Sequence, residues 1–325
     1  MSALKIEYRQ QDKSIYMERI KPFLPERLFD AHAHLMLDRA HVDLFKSNPI
    51  SAGAGLHDID ADKLEQWWKT LLEGIPVSGM LMGYPTKGCD LRAINVFVAK
   101  EAARKDYPFA WLVSPELKVE QLEADIRKYS PAALKPYMVF VDRPDYGNCR
   151  ITDMLPEEQI ELANEYRLNV ILHVARPRGM ADELNLRDID RLSELYPNCR
   201  FVLAHCGRCF IGMNAGEMLK VLPQRDNVWV DTSAVCDPIV FIHLFREFRM
   251  DRIVFGSDLV TAAGFRGSYV SFADSWKLYQ DEECTFELYE NLCALTAAVE
   301  LIGLDESRLE DVFYNNAARL FDIKD

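Results

Sequence analysis

The chain has 325 residues, with 38 Lys and Arg against 51 Asp and Glu, a formal net charge of −13 at pH 7. Its 49% hydrophobic and 27% charged content is that of a globular protein and excludes an intrinsically disordered chain, while the acidic balance makes nucleic acid and anionic membranes poor partners. No stretch reaches the roughly 18 uncharged apolar residues of a membrane helix, and the N-terminus lacks the apolar core of a signal peptide.

In chain order, short apolar runs alternate with amphipathic segments. Runs of nearly continuous hydrophobicity fit parallel strands buried on both faces. They fall at Arg27–Ala33, Val77–Met82, Phe109–Val113, Ala132–Tyr137, Asn169–His173, Arg200–His205, Asn227–Asp231 and Arg252–Ser257. After Asp60, the spacing of Leu64, Trp67, Trp68, Leu71 and Leu72 predicts one apolar helix face, ended by Gly74 and Pro76. Pro156–Tyr166, with proline at its start, and Glu183–Tyr196 read as further helices.

Eight strands alternating with helices predict a (β/α)8 barrel, distortion allowed, as a single domain over 1–325 with 1–26 as an N-terminal extension. An open doubly wound sheet is the runner-up, but the chain carries neither GxGxxG nor GxxxxGK[ST]. The 35–59 connection is long for a strand-to-helix link, and such loops are more often functional than accidental. The eight cysteines, Cys89, Cys149, Cys199, Cys206, Cys209, Cys236, Cys284 and Cys293, are scattered, which predicts reduced thiols in a cytoplasmic protein. The Cys206-Gly207-Arg208-Cys209 spacing has no second CxxC to complete a zinc site and reads as incidental.

The strand ends carry the chemistry. His32 and His34 are two apart on the first run, so their imidazoles project to the same side. The fifth run ends in His173, the sixth in His205, and the eighth is followed by Asp258. In a barrel these ends converge on one face, where sites form. The other histidines, His41, His57 and His243, are not at strand ends. The agreement between ligand type and topology points to a divalent metal site.

This pattern, DxHxH after strand one, His after strands five and six and Asp after strand eight, resembles the amidohydrolase superfamily. It is most similar to the compact branch that includes aminocarboxymuconate-semialdehyde decarboxylase and related hydrolases and lactonases. Asn227–Ser233 and Asn316–Phe321 are supporting echoes, and the match runs from Arg27 to Phe321. The resemblance implies a barrel without an added β-sandwich. It also implies that His32, His34 and His173 ligate a divalent metal, with zinc expected, and that Asp258 ligates it or faces its water. His205 would then polarise the substrate or stabilise the metal-bound hydroxide. Three neutral imidazoles leave the cation's charge largely intact, so bound water ionises near neutral pH, and a carboxylate such as Asp258 can take the proton and return it to a leaving group.

Lys135 ends the fourth run. In binuclear relatives a carboxylated lysine at that strand bridges two metals, so one ion is expected here, and two if Lys135 is carboxylated. The bridge needs a covalent modification, which favours either a cation for an acidic substrate or a solvated rim lysine. Arg176 follows His173 and Arg208 follows His205, and with Lys135 they gather positive charge on the site face. Arg176 is the leading candidate for the substrate anion, with Lys135, Arg208 and Tyr137 beside it, whereas Arg178 reads as exposed and Trp111 as core. The expected activity is hydrolysis of a small carboxylated amide, ester or lactone, with non-oxidative decarboxylation as the alternative. The expected partner is a small anionic substrate, with no nucleic acid or membrane, and a homo-oligomer is open.

Overall fold

In the computed structural model, residues 7–41, 58–222, 225–259, 266–272, 275–281 and 283–323 are described. Every apolar run becomes a strand of one parallel eight-stranded sheet, ordered β1 to β8 without a crossover. The strands are β1 (Leu28–Leu35), β2 (Val77–Gly83), β3 (Phe109–Val113), β4 (Ala133–Pro136), β5 (Asn169–Leu172), β6 (Arg200–Leu203), β7 (Val228–Asp231) and β8 (Ile253–Val254). The chain just past β8 lies against β1. The Ala31 N–H donates to Phe255 O at 2.8 Å, and Ala33 forms a parallel bridge with Leu259. These contacts complete a (β/α)8 barrel and dispose of the open-sheet alternative.

Strands β4 and β5 stop one residue before their apolar runs, and β6 and β8 stop two and three residues before theirs. The Phe255 N–H leaves the ladder for Val312 O, and the Ser257 N–H goes to the Asp30 carboxylate, so β8 ends at Val254. After β6, His205, Cys206 and Gly207 take left-handed φ values of 56°, 50° and 67°, which no strand accommodates.

The helix after Asp60 spans Ala61–Leu71, with the Asp60 side chain accepting from the Lys63 N–H. It buries Leu64, Trp67, Trp68 and Leu71 against the barrel. The two other expected helices run Glu157–Glu165 and Glu183–Leu195. Of the long 35–59 connection, residues 42–57 lie outside the described residues; its two ends are tied by reciprocal Met36–Ile59 backbone bonds of 3.0 and 2.8 Å. Near the start of the chain, Tyr16 stacks on Tyr289 of the helix Glu287–Ile302 at 5.8 Å and donates its hydroxyl to Glu73 O.

The register of β1 decides what the barrel holds. Asp30 pairs with Gly79 and Ala33 with Leu81, so β1 spends three residues where β2 spends two. That bulge switches the inward parity. Before it, Phe29 and Ala31 join Met80, Met82, Ile171, Val202 and Val254 in the barrel's apolar interior. That interior is plugged by Tyr314, Leu320 and Phe321 at the C-terminal end of the chain, Phe29 and Phe321 lying 5.8 Å apart. After the bulge, His32 and His34 turn inward instead. Asp30, which alternates with Phe29 and Ala31 and so faces the other side of β1, is fully buried and accepts from Ser257 N at 2.9 Å, Ser257 Oγ, His32 N at 3.1 Å and Trp68 Nε1 at 2.9 Å. It therefore pins β1, the segment after β8 and the first barrel helix to one another.

All eight cysteines are free, and Cys206 and Cys209 are fully buried. Among the described residues no helix is long and apolar enough to cross a membrane. Asp30→Ala strands several buried donors at once and should lower the unfolding free energy by about 3–5 kcal/mol. Urea unfolding monitored by circular dichroism checks this, and a midpoint shift corresponding to less than about 1 kcal/mol would contradict the pinning role.

Candidate metal centre and active site

A cavity of about 180 Å³ opens at the C-terminal ends of the strands. Its floor is made by His32 and His34 from β1, His173 after β5, His205 after β6 and Asp258 after β8, and its walls by Tyr84, Pro85, Tyr137, Arg208, Phe210, Tyr269 and Trp276.

The imidazoles are oriented from behind. His32 Nδ1–H donates to Asp231 Oδ2 at 2.9 Å, His34 Nδ1–H to Gly83 O at 3.1 Å, and His205 Nδ1 lies 2.9 Å from Ser233 Oγ and 3.3 Å from Ser233 O. With the proton held on Nδ1, each ring keeps its Nε2 lone pair for the cavity. Asp258 Oδ1 lies 3.2 Å from His34 Nε2 and 3.5 Å from His32 Nε2. One ligand atom from each of His32, His205 and Asp258 falls within 4.8 Å of the others. His173 stands slightly apart, its ring 5.2 Å from His205 and 4.5 Å from Tyr137, with a buried Nδ1 that has no hydrogen-bond partner among the described residues.

Electrostatics keeps this set in ligand form. Burial, reinforced by the Lys135 charge and opposed by Asp231, pulls His32 down to about 3. Burial likewise lowers His173 and His205 below the usual imidazole range. For Asp258 burial acts the other way, but the neighbouring His205, His34 and His32 outweigh it and bring the carboxyl to about 2. His32, His173 and His205 thus present neutral imidazoles and Asp258 an ionised carboxylate, and with His34 they make a donor set that fits a divalent cation.

Asp231, at the end of β7, organises the group from beneath. It accepts from His32 Nδ1, from the His205 N–H at 2.9 Å, from the Ser233 N–H at 3.1 Å and from Ser233 Oγ at 2.5 Å. Burial would raise this carboxyl; His32, His205 and Ser233 more than offset it and hold it below the ordinary carboxylate range. Asp231 lies in the Asn227–Ser233 motif, but its role was not assigned from sequence. A carboxylate closing an apolar strand was the available signal.

The four expected anion-binding groups separate. Arg208 and Tyr137 line the cavity. Arg208 is anchored by Nη1 donating to Val174 O at 3.0 Å and Arg176 O at 3.4 Å, and its guanidinium lies 5.7 Å from the Trp276 ring. Burial pushes the Tyr137 hydroxyl above its ordinary range, so it stays a donor. Lys135 is wholly buried, which excludes a solvated rim lysine. Its Nζ lies 3.4 Å from His32 Nε2, the nitrogen turned to the cavity, and burial lowers it to about 8. Arg176 is a correction. Its left-handed φ of 74° and the bond from its N–H to Gly147 O turn it away from the cavity, and its guanidinium pairs with Asp182 at 2.8 Å and donates to Asn148 O at 2.7 Å. Trp111 is core, stacked on Tyr129 at 4.9 Å.

The aromatic wall had no local sequence signal. Phe210 stacks on Tyr269 at 4.5 Å with 6° between planes and meets Trp276 edge-on at 4.6 Å. Tyr269 and Trp276 belong to an antiparallel pair beyond the barrel, β9 (Gly267–Phe272) and β10 (Ser275–Gln280).

A family model described as amidohydrolase matches residues 29–323. The chain belongs to the amidohydrolase family. No curated protein sequence matches it. Among solved structures, amidohydrolase 2 from Bifidobacterium longum subsp. infantis aligns at 15% identity over 92% of this chain and 100% of that one, with a TM-score of 0.57. A probable 2-pyrone-4,6-dicarboxylic acid hydrolase from Acinetobacter baumannii, with citric acid bound, aligns at 14% identity over 91% and 100%, TM-score 0.58. A 2,6-dihydroxybenzoate decarboxylase from Rhizobium aligns at 13% over 92% and 99%, TM-score 0.55. At such identities the likeness is one of fold. Family membership makes this protein an enzyme of the metal-dependent amidohydrolase kind, and hydrolases and decarboxylases both occur among its structural neighbours.

Asp231→Asn keeps the shape but removes the charge that holds the His32 proton on Nδ1. Zinc affinity should fall by roughly ten- to a hundredfold, read by competition with a chelating dye. Unchanged affinity would show that His32 needs no such support.

Proposed function

We propose that this enzyme is a metal-dependent hydrolase of a small, planar, carboxylated amide, ester or lactone. The observation that carries the reading is the opposition, across one small cavity, of an imidazole–carboxylate floor to an anchored arginine set among aromatic rings. The substrate carboxylate would pair with the free side of the Arg208 guanidinium, and its flat body would lie along Phe210, Tyr269 and Trp276. Tyr137 donates a hydrogen bond to a substrate oxygen.

His32, His34, His173 and Asp258 would hold the cation, with His205 close enough to join them. When bound, the cation supplies Lewis acidity toward water and the substrate carbonyl. Asp258 accepts the proton released by the attacking water and returns it to the leaving group. His205, fixed by Ser233, polarises the carbonyl. The aromatic wall limits bulk water, which strengthens each of these electrostatic contacts. Zinc is the favoured ion because imidazole and carboxylate are its common ligands. A second ion would require carboxylated Lys135, whose lowered pKa leaves a fraction of the amine neutral near pH 7; native mass spectrometry would detect the added carbon dioxide. The eight free cysteines support a reducing, cytoplasmic setting.

The second reading is non-oxidative decarboxylation of an aromatic acid. It draws support from the same arginine and ring cage, and from the decarboxylase in this fold that acts on 2,6-dihydroxybenzoate. Product analysis of a panel of carboxylated lactones, amides and hydroxybenzoates decides between them: a new acid without carbon dioxide supports hydrolysis, and carbon dioxide release overturns it.

Two substitutions follow. Asp258→Asn should lower turnover at least ~10²-fold, the scale of general acid–base catalysis, and near-normal turnover would move proton transfer elsewhere. Arg208→Lys loses the planar fork and should reduce kcat/KM for an acidic substrate by roughly ten- to a hundredfold while sparing its neutral methyl ester. Equal loss on both substrates would remove Arg208 as the anion clamp.

A further inference from the structure

The β9–β10 pair supplies two walls of the cavity, Tyr269 and Trp276, yet among the described residues it pairs with no barrel strand. A two-stranded sheet alone is marginal in water, and its outer side leaves Phe272 and Tyr279 exposed. Something outside the pair must set its place.

Both of its feet converge on one carboxylate from the start of the chain. Asp12, on the short helix Gln10–Ile15, is fully buried. Arg266, immediately before β9, grips it with two parallel bonds, Nη1 to Oδ1 at 2.8 Å and Nη2 to Oδ2 at 2.7 Å. Thr285, just beyond β10, donates its hydroxyl to Oδ1 at 2.8 Å, and the Arg9 N–H adds a bond to Oδ2 at 2.8 Å. Burial would raise this carboxyl, but the Arg266, Arg9 and Thr285 bonds hold it below its ordinary range. Arg266 also donates to Cys284 O at 2.9 Å and lies 4.4 Å over the Phe286 ring, and the Gly267 N–H donates to Thr285 O at 3.1 Å. The foot itself is tight. Gly267 has φ +141°, and a Cβ there would come within 2.0 Å of Tyr279 O.

We propose that Asp12 is a positioning residue for the active site: through its bidentate pair with Arg266 it seats the β9–β10 hairpin so that Tyr269 and Trp276 close the cavity beside Arg208. The N-terminal segment thereby governs how tightly a planar substrate is held. The substrate part of this inference rests on the proposed function; the positioning part does not.

Hydrogen exchange by mass spectrometry on the full-length protein tests the positioning without any substrate. In Asp12→Asn, amides of β9 and β10 should exchange roughly ten- to a hundredfold faster while those of β1–β8 keep wild-type rates. Arg266→Lys, which keeps the charge but loses the fork, should give an intermediate rate. Gly267→Ala, which spares Asp12, should loosen the same amides and supplies the test if Asp12→Asn does not fold. In kinetics, Asp12→Asn should raise KM for a planar acid about tenfold with kcat changed less than about twofold. Hairpin exchange unchanged in Asp12→Asn, or acceleration spread evenly over barrel and hairpin, overturns the proposal. Faster hairpin exchange in a protein that turns over none of the acids would uphold the positioning and instead count against the proposed function.

Discussion

An imidazole has one lone pair to offer, and the cavity floor depends on where each ring keeps its proton. Asp231, Gly83 O and Ser233 hold the protons of His32, His34 and His205 on Nδ1, which leaves Nε2 for the cavity in all three. Asp231 does two jobs at once, because it also receives the His205 N–H and so fixes the left-handed turn that brings this histidine off β6 into the site. A metal site built this way is assembled before the metal arrives. The cost is a buried carboxylate, offset by four hydrogen bonds.

The same strategy recurs one layer down. Asp30 gathers donors from β1, from the segment after β8 and from Trp68, and so fixes the seam where the barrel closes. The β1 bulge above it exchanges an apolar interior for a polar one within a single turn of inward-facing residues. Barrel stability and ligand geometry are thus coupled through the DxHxH segment, in which the aspartate serves the first and the histidines the second.

Much of this was legible in the sequence, for physical reasons. The eight strands were visible because strands buried on both faces must be apolar throughout, and the first barrel helix because its buried face repeats at helical spacing. The residues His32, His34, His173, His205 and Asp258 stood out because a titratable side chain ending an apolar run is costly without a partner. Arg176 misled because nearness in sequence to His173 says nothing of direction; a left-handed backbone sends it to Asp182, and Arg208 takes the cavity position. For Lys135 only one of the alternatives falls, since a rim lysine is solvated and this one is enclosed. Asp231 and Asp12 act on partners far away along the chain, and the aromatic wall joins Phe210 to a hairpin more than fifty residues on. Such long-range pairings leave no periodic trace.

The central claim is that the strand-end set binds a catalytic cation. Diffraction data collected on either side of the zinc absorption edge, from crystals of protein purified without chelator, test it most directly. The account predicts an anomalous peak at ~2.1 Å from His32 Nε2, in contact with Asp258, and loss of turnover when the metal is stripped. No peak among these side chains, together with full turnover by the stripped protein, would contradict it.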